Sequence, residues 1–207
     1  YGIDSLLEIL GQRIPFIQRI GYIKPVNWFL RKLYKLISYN RKVIVARKCG
    51  PGTFDCSPAY NVFYRIAFLC LFLVFNSIML WPLHDHVFSH LSFYHLNYQQ
   101  LQSGHLVFVG VNCGLASLLH RKMAIEYLGQ VNMLAVICIL FLTLLLFVTN
   151  ILPVAEWIVA CYLALLTLFI TREYFRRMAY AGILTYHKTI PAINIVCLLL
   201  YLVYVFH

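Results

Sequence analysis

The stretch VNMLAVICILFLTLLLFVTNIL, Val131 to Leu152, contains no charged side chain and interrupts its apolar run only with Asn132, Thr143, Thr149 and Asn150. A helix needs about 20 predominantly apolar residues to cross roughly 30 Å of hydrocarbon, and this stretch meets that length. A helix apolar on every side has to be buried in a large core or in lipid. The chain has 207 residues, 62% of them hydrophobic and 12% charged. An ordinary soluble domain runs at roughly half and a quarter, so water is not the main solvent here. The reading is an all-α, polytopic helical membrane protein.

Working outward, four further apolar segments are predicted: Val62 to Leu80, ended by Trp81 and Pro82; Leu106 to Leu119; Val154 to Thr171, set off by Pro153; and Ile190 to Phe206. The segment 106–119 falls short of the roughly 17 residues a span requires. It has to recruit Ser103 to His105 and His120, thin the bilayer, or be re-entrant. Residues 1–58 form a basic helical preface and residues 59–207 the transmembrane domain, with the boundary near Pro58.

Lys and Arg occur up to Arg65, then at Arg121 and Lys122, then at Arg172, Arg176, Arg177 and Lys188, and nowhere between Pro82 and Ser103, between Asn150 and Glu156, or after Lys188. With five crossings every one of them falls on one side. Cationic connections stay in the cytoplasm, so the N-terminus is predicted inside and His207 outside. Trp81 and Trp157 then mark the outer headgroup level, and Tyr60, Tyr64, Tyr174 and Tyr186 the inner one. The net charge of +10 raises nucleic acid as a partner, but no RNP, zinc-finger or helix-turn-helix pattern accompanies it, and anionic lipid headgroups are the better match.

In the preface, the Ser5-x-x-Glu8 spacing predicts a capping box and a short helix that stops at Gly11. A second helix is predicted from near Pro25, with Val26, Phe29, Leu30, Leu33, Leu36 and Ile37 on one face and Arg31, Lys32 and Lys35 elsewhere on the wheel. Arg41 to Lys48 keeps positive charge close to the first span. Cys49-Gly50-Pro51-Gly52-Thr53 reads as a turn-rich linker.

Four histidines, His84, His86, His90 and His95, share the first outer connection, with His105 at its end. Imidazole is a common metal ligand, but this spacing matches no established ligand pattern, and an amphipathic headgroup-level surface is the favoured role. Asn76, Asn112 and Asn194 lie inside apolar segments, where an amide more often joins helices than binds substrate; Gly110, Gly114 and Ala116 predict close packing beside Asn112. Five cysteines, Cys70, Cys113, Cys138, Cys161 and Cys197, are single and intramembrane, and the spacing of Cys49 and Cys56 is neither a redox nor a zinc pattern. No catalytic residue, metal-ligand set or cofactor is assigned on these grounds.

Tyr1-Gly2-Ile3-Asp4-Ser5-Leu6-Leu7 and Leu33-Tyr34-Lys35-Leu36-Ile37-Ser38-Tyr39-Asn40-Arg41 resemble the C-terminal half of the DCC family of thiol-disulfide oxidoreductase-like proteins. Glu173-Tyr174, Arg176-Arg177-Met178 and the last apolar segment are similar to the helical membrane extension of some bacterial members. The family's Asp-x-x-Cys-x-x-Cys element is not present in the sequence. The resemblance therefore implies a thioredoxin-like core removed ahead of Tyr1, in keeping with a first residue other than Met. It implies the membrane-anchoring portion of a bacterial redox protein, without the dithiol that such chemistry needs. The alternatives are a small-solute or metal transporter or sensor using the outer histidines, and a non-catalytic subunit of a membrane complex.

Overall fold

The computed structural model describes residues 2–46 and 60–206, so Cys49, Cys56 and the predicted Gly-Pro-Gly linker lie outside the described residues. Among the described residues the regular structure is helical: α1 (Ile3–Arg13), α2 (Pro15–Gly21), α3 (Lys24–Val45), α4 (Val62–His86), a 3-10 turn (Phe88–His90), α5 (Tyr98–Ser117), α6 (Arg121–Ile151), α7 (Glu156–Tyr180), α8 (Ile183–Tyr186) and α9 (Thr189–Phe206). The chain divides into two compact units, one of residues 1–45 and 49–68, the other of residues 46–48 and 69–207.

In the first unit the sequence expectation for α1 is corrected at both ends. Gly2, at φ 124, takes the cap position, and no side chain caps the helix, so Ser5 and Glu8 lie inside it. Asp4 in the first turn bonds to α3 instead, where Arg31 Nη2 donates to its Oδ2 at 3.0 Å. Gly11 continues the helix rather than ending it. A Cβ there would meet the Gln18 side chain at 2.5 Å, so the residue is small because α2 packs on it. The α2 helix was not anticipated; Pro15 at its first turn supplies the preset φ and needs no amide partner. The α3 helix begins where predicted, but of its apolar face Phe29 (58% exposed) and Ile37 (51%) remain open. Near its end the fully buried Asn40 donates to Leu36 O at 2.8 Å and to Tyr64 O at 2.9 Å, while Tyr39 stacks on Tyr64 with centroids 4.7 Å apart.

In the second unit, α4, α6 and α7 are each long and apolar enough to cross a membrane. Pro82 does not end α4, which continues to His86. Proline removes one i to i−4 hydrogen bond, and the helix runs on past it for one more turn. The short segment is lengthened at its other end. Asn97 Oδ1 accepts from Gln100 N at 2.9 Å and Gln100 Oε1 from Asn97 N at 2.9 Å, a capping box that starts α5 at Tyr98. Its 20 residues make a helix about 30 Å long at 1.5 Å per residue. Gln99, Gln100, Gln102, Ser103 and His105 make its first turns more polar than those of α4, α6 or α7.

Two apolar clusters fill this unit. Leu80, Leu83, Val87, Leu91, Ile139, Leu142, Leu145, Val159 and Leu166 knit α4, α6 and α7 together. Leu115, Leu119, Tyr127, Leu134, Tyr174, Met178, Ile183 and Ile190 do so for α5 through α9. The complementary faces are apolar and open: Phe147, Ile151, Trp157, Leu165, Leu168 and Leu200 are among the most exposed large side chains. An apolar outer surface on an apolar core is the pattern a bilayer permits and water does not.

Candidate functional site

The α5 and α9 helices run antiparallel, and each brings an asparagine to the side of α6 that carries Tyr127. Tyr127 OH donates to Asn112 Oδ1 at 2.6 Å, and Asn194 Nδ2 donates to the same oxygen at 3.0 Å and to Tyr127 OH at 3.2 Å. Asn112 Nδ2 turns back to Phe108 O at 2.8 Å. All three side chains are buried. Every group here is neutral, so the node can orient and join helices but presents no nucleophile with a base beside it. Asn76 makes a second interhelical tie, donating to Asn132 Oδ1 at 3.3 Å, and Asn132 Nδ2 reaches Leu69 O at 3.3 Å.

Nearer the Arg-rich end of α7 the node is charged. Arg177, 2% exposed, donates through Nε to Glu173 Oε1 at 2.8 Å and through Nη1 to Gln130 Oε1 at 2.9 Å. Gln130 Nε2 in turn donates to Glu126 Oε1 at 3.0 Å. Arg176 Nε takes the other oxygen of Glu173 at 2.7 Å. The Arg177 guanidinium and the Glu173 carboxylate satisfy one another with side chains only 2% and 14% exposed, which makes this a structural ion pair rather than a proton donor and acceptor set for chemistry.

The histidines of the α4–α5 connection separate. His86 and His90 are exposed, while His84 faces inward with Nε2 3.2 Å from Leu96 O and its ring against Tyr94 and Tyr98. Among the described residues no three His, Cys, Asp or Glu side chains come together in a way that could hold a metal ion. Burial and the neighbouring Tyr201 phenol push the Tyr94 hydroxyl above tyrosine's usual range. The Tyr94 hydroxyl, Gln102 Oε1, His105 Nε2 and the Tyr201 hydroxyl are buried with no hydrogen-bond partner among the described residues. At the other side of the same connection, Ser92 donates to Glu156 Oε2 through N at 3.2 Å and Oγ at 2.6 Å.

Several sequence expectations change here. Gly110 and Gly114 have open space where a Cβ would stand, so they line the outer face of α5 and do not pack beside Asn112. The close approach is at Gly104, where a Cβ would meet the Tyr201 ring at 2.3 Å. Tyr174 is buried inside the helix packing, its hydroxyl 3.5 Å from Pro191 O. Cys70 and Cys113 are exposed, and both are free thiols. Tyr127, Gln130 and Tyr201 were missed. Tyr127 and Gln130 share an i, i+3 face four residues and one residue before the apolar run at Val131, a spacing that marks one polar stripe entering the span.

No family model matches this chain, and neither the curated proteins nor the solved structures contain a match to it.

Proposed function

We propose that the chain is the membrane-anchoring portion of a thiol-disulfide oxidoreductase-like protein, crossing the bilayer five times, with the first unit on the cytoplasmic face against anionic headgroups. The observation that carries the topology is the segregation of Lys and Arg. With α4, α5, α6, α7 and α9 all crossing, every cation falls on one side and none on the other. The capped start of α5 supports its crossing, because it gives that helix the length the bare apolar segment lacked. For the first unit, support comes from Trp28 and Phe29 exposed on the same helix as Arg31, Lys32 and Lys35. Apolar and cationic side chains projecting together from a helix fit an anionic interface. The redox assignment rests on the resemblance at Tyr1 to Leu7 and Leu33 to Arg41 alone.

Reporter fusions after Ser103, Lys122 and His207 are expected to read outside, inside and outside. A cytoplasmic signal at His207 would overturn the five-span arrangement. The coding sequence ahead of Tyr1 tests the redox half separately. An Asp-x-x-Cys-x-x-Cys element there supports it, and an initiator codon directly before Tyr1 overturns it.

A further inference from the structure

The first unit carries a shallow, open surface groove lined by Tyr22, Lys24, Asn27, Trp28 and Arg31. Two of the five lining residues are cations and two are aromatic. Asp4 stands behind them: Arg31 Nη2 donates to its two oxygens at 3.0 and 3.3 Å, and Asn27 Nδ2 lies 3.5 Å from Oδ1. Lys24 and Arg31 against one carboxylate leave a single net positive charge. A phosphate monoester, near two negative charges, is poorly matched to that balance; a phosphodiester, with one, fits it. Tyr22 and Trp28 are both exposed, and such amphipathic rings settle where headgroups meet acyl chains. Lys32, with Nζ 5.8 Å from the centre of the Trp28 ring, stands outside the lining and adds attraction for an anionic surface.

We propose that this groove holds the headgroup of one singly charged anionic phospholipid of the glycerol or inositol type. Its phosphodiester lies between Lys24 and Arg31, and its hydroxyls meet Asn27 and the Asp4 carboxylate. Asp4 has a double role: it orients Arg31, and it lowers the charge of the groove so that a monoester headgroup is not preferred. The proposal rests on the placement of the first unit at an anionic bilayer surface, and it adds a defined site to what would otherwise be diffuse attraction.

Trp28 is one of three tryptophans, so W81F/W157F leaves it as the only reporter, on the wall of the groove itself. The full chain carrying those changes is placed in phosphatidylcholine nanodiscs with a minor fraction of either acyl-brominated phosphatidylglycerol or acyl-brominated phosphatidylcholine. Brominated phosphatidylglycerol is expected to quench Trp28 about fivefold more effectively per lipid than brominated phosphatidylcholine. Lys24→Gln is expected to remove that preference, and Asp4→Asn to shift it toward brominated phosphatidic acid. Equal quenching by the two lipids, unchanged by Lys24→Gln, would overturn the site while leaving the unit at the surface. Absence of quenching by either lipid would overturn the surface placement, and the site with it. Soluble glycerophosphoglycerol that binds through Lys24 without relieving the quenching would assign the groove to a free phosphodiester instead of a lipid.

Discussion

In the first unit, apolar side chains and cations share the same helix, whereas in the second the apolar side chains occupy whole helical turns and the cations stay at helix ends. Trp28 and Phe29 stand exposed beside Arg31 and Lys32, while Leu140 and Leu144 stand exposed with no charged residue within about three turns in sequence. The polar groups differ in the same sense. Asp4 and Arg31 meet with side chains 45% and 58% exposed, but Arg177 meets Glu173 with side chains 2% and 14% exposed. Water can replace a lost partner in the first case and not in the second. The comparison therefore predicts that equivalent deletions cost unequal amounts.

The largest effect belongs to Glu173→Ala, which strands Arg177 in a buried site. Breaking a buried pair from one side typically costs about 3–5 kcal/mol. Thermal or denaturant unfolding of the full chain in detergent micelles reads it. The paired change Glu173→Leu with Arg177→Met is expected to recover most of the loss, because no buried charge is then left without a partner, and Arg176, which also loses Glu173, is 45% exposed and can turn to water. A Glu173→Ala loss no bigger than that of an exposed pair would break the comparison.

An intermediate effect is expected at the neutral node. Asn194→Leu removes two hydrogen bonds to Asn112 and Tyr127 but leaves those two bonded to each other. Interhelical hydrogen bonds in membrane proteins average about 0.6 kcal/mol and reach about 1.7, so a loss of about 1 kcal/mol is expected. A double-mutant cycle of Asn112→Leu with Asn194→Leu should show coupling of about the same size. Additive losses would mean that the two asparagines contribute through separate surroundings.

What the sequence revealed and what it hid divide along the same physical line. Apolar length and cation placement are properties of single segments, and they located the apolar centres of α4, α6 and α7, while α6 begins at Arg121 and α7 runs to Tyr180, beyond the predicted segments by more than two turns each. Pairing between segments is not written in one segment. Asn112 and Asn194 stood out because an amide in hydrocarbon is costly, yet Tyr127, which joins them, looks like any aromatic residue at the edge of a span. The glycines misled for a related reason. Gly110 and Gly114 form an inviting small-residue pair, but the orientation of α5 turns them outward, and the tight contact falls at Gly104 against Tyr201. The second segment looked short because its polar first turns were excluded by composition, whereas the Asn97 and Gln100 cap sets its start by hydrogen bonding. In the preface, Ser5 and Glu8 have capping spacing, but Gly2 adopts the cap conformation three residues earlier and Asp4 is held by Arg31. Even the histidines of the α4–α5 connection separate into inward and outward sets: His84 and His86, two residues apart on α4, cannot share a helical face, and His90 and His95 lie exposed beyond its end.

The smallest effect is expected at the Asp4 and Arg31 pair, and it sharpens the comparison most, because the bond itself is short. Arg31 Nη2 lies 3.0 Å from Asp4 Oδ2, a distance close to the 2.8 Å between Arg177 Nε and Glu173 Oε1. Distance alone would assign the two pairs similar importance. Exposure assigns them differently: an exposed pair gives back to water most of what it gains, and its attraction is screened over a Debye length of roughly 8 Å at physiological salt. A double-mutant cycle of Asp4→Asn with Arg31→Gln in the full chain is therefore expected to give a coupling of about 0.5 kcal/mol or less, shrinking further as salt is raised. The readout is hydrogen exchange of the α1 amides, which reports local opening that global unfolding would miss. The Glu173 and Arg177 coupling, by contrast, is expected to change little with salt because the ions of the solvent do not reach it. A coupling at Asp4 and Arg31 of several kcal/mol, insensitive to salt, would show that this end of α1 is shielded from water in the protein's working environment. The contrast between the two units would then lie in their surroundings rather than in their sequence.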